Sequence, residues 1–275
     1  MSGPVMLDVR DLCVDYALGT RRLRAVDGVS LQMNAGSVLG IAGASGSGKT
    51  TVALSLLGLL DRRITRVSGS IRLGGQELTT LTEADWRSVR GRRIGAIFQS
   101  PAGTFNPTMT IGQHLEEAIR CHFDQTGAVA RTRAIEALER VGMPRAPEVF
   151  RSYAFELSGG MCQRAAIALA LAPEPALLVA DEPTSSLDVI AQVEICKLLK
   201  ALNTAFGLSI IVISHDLGLI GQLADEVAVM RVGQVVESGA VDHVFRAPEH
   251  AYTRQLLGAA IDLGSAARAR QEHIS

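Results

Sequence analysis

Residues 43–50 spell GASGSGKT and fit the spacing G-x-x-x-x-G-K-[ST]. The residue types suit one chemistry. Gly43, Ala44, Ser45, Gly46, Ser47 and Gly48 can curl successive backbone N–H groups around a polyphosphate. Lys49 would reach the outer phosphates, Thr50 would hold Mg²⁺, and Thr51 continues into the helix that follows. An ordinary glycine-rich turn is the plainer alternative. The flanks set it aside, because the buried-looking run Val38–Ala42 precedes the loop and an apolar helix is expected from Thr50 to Leu60. Binding of ATP or GTP follows.

A second group lies in LLVADEPTSSLD, where Asp181 and Glu182 close a short apolar run. An acid pair at a strand end often does no more than cap the next helix. With a phosphate loop upstream, Asp181 reads as a carboxylate beside the nucleotide's Mg²⁺. Glu182 would then orient or deprotonate the attacking water, since phosphoryl transfer needs mainly positioning and charge neutralisation. Gln99 and His215 also end expected strands. Alone, neither would be singled out. In a doubly wound sheet, however, groups at strand carboxyl ends converge on one crevice.

The elements that position these residues alternate. Strand signals run at Leu7–Val14, Leu23–Leu31, Val38–Ala42, Ser70–Leu73, Arg93–Gln99, Leu177–Ala180 and Ser209–Ile213. Helical patterns fill the stretch after Thr50, a block from about 101 to 164, Val189–Phe206 and Tyr252–Leu263. Short apolar strands alternating with helices imply an α/β protein with a mainly parallel sheet. The polar block in the middle reads as an inserted helical subdomain.

Composition narrows the class. Lysine and arginine total 27 against 28 acids, a net charge of −1 that gives no support to nucleic-acid binding. At 47% hydrophobic residues over 275, a sizeable core is available. No apolar run reaches the roughly 18 residues that span a bilayer, and the first residues lack a signal-peptide pattern. The four cysteines, Cys13, Cys121, Cys162 and Cys196, are scattered and form no C-x-x-C pair. The expectation is a protein of the reducing cytoplasm that does not itself cross a membrane.

From residue 5 to 240 the motifs, in their order, resemble the ATP-binding cassette (ABC) ATPases. They are the phosphate loop, a Q-loop Gln99, LSGGM at Leu157, Ser158, Gly159, Gly160 and Met161, the DEP acids, SSLD ending in Asp188, and SHD with His215. Tyr16 matches the family's adenine-stacking aromatic. The resemblance implies a P-loop NTPase (RecA-like) fold with an N-terminal antiparallel β subdomain. The whole of 1–275 would be a single ABC domain. Its nucleotide-binding core would be 1–99 and 165–239, its helical subdomain 100–164 and its C-terminal tail 240–275. It also implies ATP and Mg²⁺ as cofactors, with Thr50, Gln99 and Asp181 around the metal and Glu182, His215 and Gln99 as the catalytic set. The LSGGM residues would start a helix whose N–H groups and dipole face the γ-phosphate held by a second ATPase subunit. Met161 and Cys162 depart from the commonest signature, and Cys162 reads as a small buried thiol.

SPAGTFNPTMTIGQHL after Gln99 and PEHAYTRQLLGA near the end resemble the peptide and nickel importer branch. There the ATPase pair drives two membrane permease subunits, supplied indirectly by an extracytoplasmic binding protein. The location implied is the cytoplasmic face of the inner membrane, peripheral. Phe105 and a tail stopping at Ser275 without a cysteine-bearing extension favour nickel or metal-chelate import, with dipeptide or oligopeptide import as the alternative. His243, His250 and His273 lack metal-ligand spacing. A soluble phosphonate-cleaving assembly uses similar ATPases and is a rival reading. A translation-associated ATPase would carry two cassettes, and a small-molecule kinase or GTPase would need neither signature helix nor switch histidine.

Overall fold

The structure is a computed structural model, and it describes residues 3–125 and 127–259. The chain runs through β1 (Val5–Leu18), β2 (Arg21–Asn34), β3 (Val38–Ala42), α1 (Lys49–Leu56), β4 (Thr65–Leu73) and β5 (Gln76–Glu77). It continues with α2 (Glu83–Val89), β6 (Ile94–Ile97), α3 (Ile111–His122), α4 (Gly127–Arg140), α5 (Ala146–Val149) and α6 (Gly159–Leu171). Then come β7 (Leu177–Asp181), α7 (Val189–Phe206), β8 (Ser209–Ser214), α8 (Leu217–Leu223), β9 (Glu226–Arg231), β10 (Gln234–Ala240) and α9 (Val241–Arg246). A further helical stretch covers 251–259. The described residues fall into two compact units, one up to Thr79 and again from Val212, the other Thr80–Ile211.

In the first unit, β2, β1, β4 and β5 form an antiparallel sheet in that order. Its buried positions explain one of its register shifts. Leu7 and Val9 face the core, and so do Leu12 and Val14. The step of three from Val9 to Leu12 cannot be met by a two-residue pleat, so the register shifts between them and Asp11 takes φ 47°. Gly69 lies opposite with φ 95°, where a Cβ would come within 2.5 Å of the Asp11 carbonyl oxygen. The same unit holds a second set of strands. The fully buried β3 pairs in parallel with β9, and β10 pairs antiparallel with β9.

In the second unit, β6 and β7 pair in parallel from Ile94 opposite Leu177 to Ile97 opposite Ala180. Helix starts here are well marked. Thr82 with Asp85 and Thr110 with Gln113 form capping boxes at α2 and α3, each satisfying two otherwise orphaned groups. Trp86, Leu115, Ile119, Leu138 and Ile167 bury the apolar faces.

The antiparallel N-terminal sheet and the parallel strands match the expected class, and α7 occupies the expected span. Several boundaries differ, β1 and β2 running longer than expected and three others as follows. Helix α1 stops at Leu56 because Gly58, at φ 60°, turns the chain. Its N–H donates to the Ser55 oxygen and that of Leu59 to the Leu54 oxygen. Strand β4 begins at Thr65, not Ser70, because Thr65–Ser68 pair with Tyr16–Cys13. Strand β6 ends at Ile97, two residues short of Gln99. Part of the expected helix Tyr252–Leu263, and His273, lie outside the described residues. No helix among the described residues is long and apolar enough to cross a membrane.

Candidate nucleotide site

The phosphate loop belongs wholly to the first unit, and the fold builds it around absent side chains. Gly43 has φ 153°, and a Cβ there would lie 2.3 Å from the Met230 carbonyl oxygen. Gly48 has φ 101°, and its Cβ would meet the Ala25 carbonyl oxygen at 2.5 Å. The tight turn from β9 to β10 braces the loop, with the Gly233 N–H donating to the Ser47 carbonyl at 2.9 Å. Lys49 is only 6% exposed. Its Nζ donates to the carbonyls of Gly43 at 2.8 Å and Ala44 at 2.9 Å, with the Ser47 hydroxyl at 3.5 Å. The lysine thus closes the loop into a ring. Ala44, Ser45, Gly46 and Thr50 lie on its exposed side, and Thr51 is half-buried.

The same unit carries two more predicted site residues. Tyr16 is half-buried near the end of β1, opposite Leu23 and Thr65, and is therefore not a core tyrosine. His215 directly follows β8 and is exposed. Its neighbour Asp216 caps α8, accepting the N–H groups of Gly218 at 2.8 Å and Leu219 at 3.3 Å.

In the second unit, Asp181 is the last residue of β7 and only 7% exposed. Glu182 follows at φ 50°, a left-handed conformation costing a non-glycine residue on the order of 1–3 kcal/mol. The Ser185 N–H donates to the Glu182 carbonyl at 3.3 Å, and the Gln192 amide to that of Thr184 at 3.1 Å. Asp188 accepts the Ala191 N–H at 2.9 Å and caps α7. Gln99 is exposed, just past β6.

The signature residues start α6 as expected. Leu157 is half-buried, and Ser158 is the exposed N-cap, its hydroxyl accepting the Met161 N–H at 3.3 Å. Gly159 and Gly160 follow in ordinary helical backbone. A Cβ on either would find nothing nearer than 3.5 Å, on Leu187 and Ala191 respectively. A cleft of about 640 Å³ opens here, lined among others by Ser158, Gly159, Met161, Asp188 and Ile190. Arg164 ties its walls together, donating to the Val141 carbonyl at 2.7 Å and pairing with Glu194 at 3.0 Å. Cys162 is buried, and burial pushes its thiol up, which makes it an inert packing residue.

Sequence reasoning missed two supports of the phosphate loop, the β9–β10 turn and Tyr252, whose hydroxyl accepts the Ala44 N–H at 3.1 Å. Neither has a local signal, because both come from more than 180 residues away.

Known proteins resemble this chain in sequence and in fold. The family model described as "ABC transporter" matches residues 26–185. A Brucella abortus (strain 2308) protein, provisionally named a peptide import ATP-binding protein, is 45% identical over 258 residues, covering 94% of this chain and 78% of that protein. The oligopeptide transport ATP-binding proteins AmiE of Streptococcus pneumoniae (strain TIGR4) and AppD of Bacillus subtilis (strain 168) are each 42% identical. They cover 92% of this chain, and 72% and 77% of their own lengths. Among solved structures, the dimeric ATP-binding cassette MJ0796 bound to ADP and Pi aligns with a TM-score of 0.77 at 26% identity, over 86% of this chain and 99% of that one. The cbiO1 protein of Clostridium perfringens gives 0.77 at 26% identity, over 96% and 99%.

The fold is that of an ABC ATPase cassette, and the chain belongs to the ABC transporter family. It is an ATP-binding subunit whose ATP hydrolysis is coupled to transport. The expected preference for nickel is not supported, because the relatives' names point to peptides. Phe105 is buried and meets the His114 ring edge-on at 5.2 Å, so that position answers to packing, not cargo.

Proposed function

We propose that this subunit energises a peptide importer, pairing with a second ATPase subunit so that each chain's signature helix completes the other's ATP site. The observation that carries the pairing is the start of α6. Its two glycines have ordinary backbone and room for a side chain, at an exposed helix N-terminus of positive dipole. The fold does not need glycine there. A phosphate approaching the backbone from outside the chain does.

The residues fit the cofactors. The ring closed by Lys49, with its exposed backbone beyond Ala44, suits a polyphosphate. Thr50, Asp181 and Gln99 offer the hard oxygen ligands that Mg²⁺ takes, and the bound ion would neutralise charge on the phosphates. Asp181 and Thr50 would hold the metal. Glu182 would orient and deprotonate water, His215 would steady the γ-phosphate end, and Tyr16 would stack on adenine. Asp188 shapes the first turn of α7 beside the signature cleft.

Two membrane permease subunits would receive the stroke, fed by an extracytoplasmic binding protein, with the ATPase peripheral on the inner face of the membrane. The relatives' names support peptides as cargo over nickel. Glu182→Gln tests the chemistry: steady-state turnover should fall about 10²- to 10⁴-fold while ATP binding persists and a closed dimer accumulates in size-exclusion runs. Full turnover in that variant would sink the assignment. Uptake of a radiolabelled oligopeptide and of nickel by cells with and without the subunit decides the cargo.

A further inference from the structure

The segment after β10 reaches back to the phosphate loop, and the route is defined by hydrogen bonds. The Glu237 carboxylate on β10 accepts the N–H groups of Glu249 at 2.8 Å and His250 at 3.1 Å. Those backbone bonds fix where the 251–259 helix starts. The His250 ring nitrogen Nδ1 then accepts the Tyr252 N–H at 3.1 Å. The Arg231 guanidinium, at the end of β9, sits 5.1 Å from the centre of the Tyr252 ring. Held on both sides, the Tyr252 hydroxyl accepts the Ala44 N–H at 3.1 Å.

Ala44 is the pivotal peptide of the loop. Its carbonyl accepts the Ser47 N–H at 3.2 Å and the Lys49 ammonium at 2.9 Å. Its N–H is taken by Tyr252, so both ends of the residue are pinned. The amides that follow, from Ser45 on, are thereby aimed before any ligand arrives. Preorganised donors cost no ordering free energy when the ligand binds.

We propose that Tyr252 is a positioning residue for the phosphate loop, setting nucleotide affinity through the Ala44 peptide without touching the nucleotide. The inference rests on the reading of residues 43–51 as the ATP-phosphate site. It makes the segment after β10 part of the nucleotide machinery, through a single phenolic oxygen.

Tyr252→Phe in the full-length chain removes only that oxygen and keeps the ring under Arg231. The Kd for ATP, by titration calorimetry, and KM should rise on the order of 5-fold, the worth of one hydrogen bond. The kcat and the melting temperature should stay at wild-type values, because Ala44 is exposed and water can take its N–H. Tyr252→Ala should weaken ATP binding at least as much. An unchanged or tighter Kd in Tyr252→Phe overturns the proposal. So does a loss of affinity matched by an equal loss of kcat and thermal stability, which would mark a merely structural contact. Wild-type protein titrated alongside separates the two readings: if it fails to bind ATP, the site assignment falls; if it binds and Tyr252→Phe binds equally, only the role of Tyr252 falls.

Discussion

The glycines of the phosphate loop and those of the signature helix answer to different demands. Gly43 and Gly48 sit in backbone regions that side chains avoid, and a Cβ on either would strike a carbonyl oxygen within 2.5 Å. The chain around them is reason enough for glycine. Gly159 and Gly160 have conventional backbone and 3.5 Å of clearance, and alanine would even favour the helix. Nothing in their own chain asks for glycine. A glycine that the fold requires speaks about the fold, whereas one that the fold would exchange freely speaks about something that comes from elsewhere.

Substitution can break or sharpen that contrast. Gly48→Ala should have the largest effect, destabilising the protein by on the order of 3 kcal/mol through strain and backbone displacement and abolishing ATP binding together with the fold around the loop. Chemical denaturation and nucleotide titration check both. Gly160→Ala should do the reverse, leaving stability within about 1 kcal/mol or slightly raised and single-subunit ATP binding intact. Its steady-state turnover should nonetheless fall about 10-fold or more, for loss of a close backbone approach to phosphate. If turnover survived, the idea of a site completed by a second subunit would lose its main support.

Glu77→Gln calibrates a defect of the fold alone. This carboxylate accepts from Thr79 through both hydroxyl and N–H, from the Ile71 N–H and from the Ser70 hydroxyl. Partial burial alone would push it up, yet these bonds hold it down at about 2, against an ordinary 4.5. A lowered folded-state value means the stabilisation is complete above about pH 4.5 and is lost as pH falls toward 2. The variant should cost about 1–3 kcal/mol at pH 7, leave ATP affinity unchanged, and show a shallower loss of stability below pH 4.5 in acid-unfolding curves.

Much of this was legible along the chain wherever the cause is local. The phosphate loop, the acid pair after an apolar strand, the Asp188-capped helix Val189–Phe206 and the Ser158 cap all advertise themselves in adjacent residues. Most of the elements misjudged are governed by partners far away, the end of α1 being the local exception. Thr65–Ser68 look like loop until β1 pairs with them, and the apolar Leu57–Leu60 look helical until Gly58 turns the chain. Phe105 invited a reading about cargo because its burial against His114 cannot be seen in sequence. Tyr252 is the clearest case, since its hydrogen-bond partner lies 208 residues back.

Arg164 has one more consequence. One guanidinium grips the carbonyl of Val141, just beyond α4, and the carboxylate of Glu194 on α7, while its own backbone belongs to α6. It acts as a rivet through three plates. The capped starts of α6 and α7 therefore cannot slide past each other a fraction of a turn without shearing that joint. Ser158 and Asp188 consequently behave as one hard edge, not as two loose tips. Replacing arginine with lysine would leave the charge but only one prong of the fork, and the edge would gain play before the protein lost its fold.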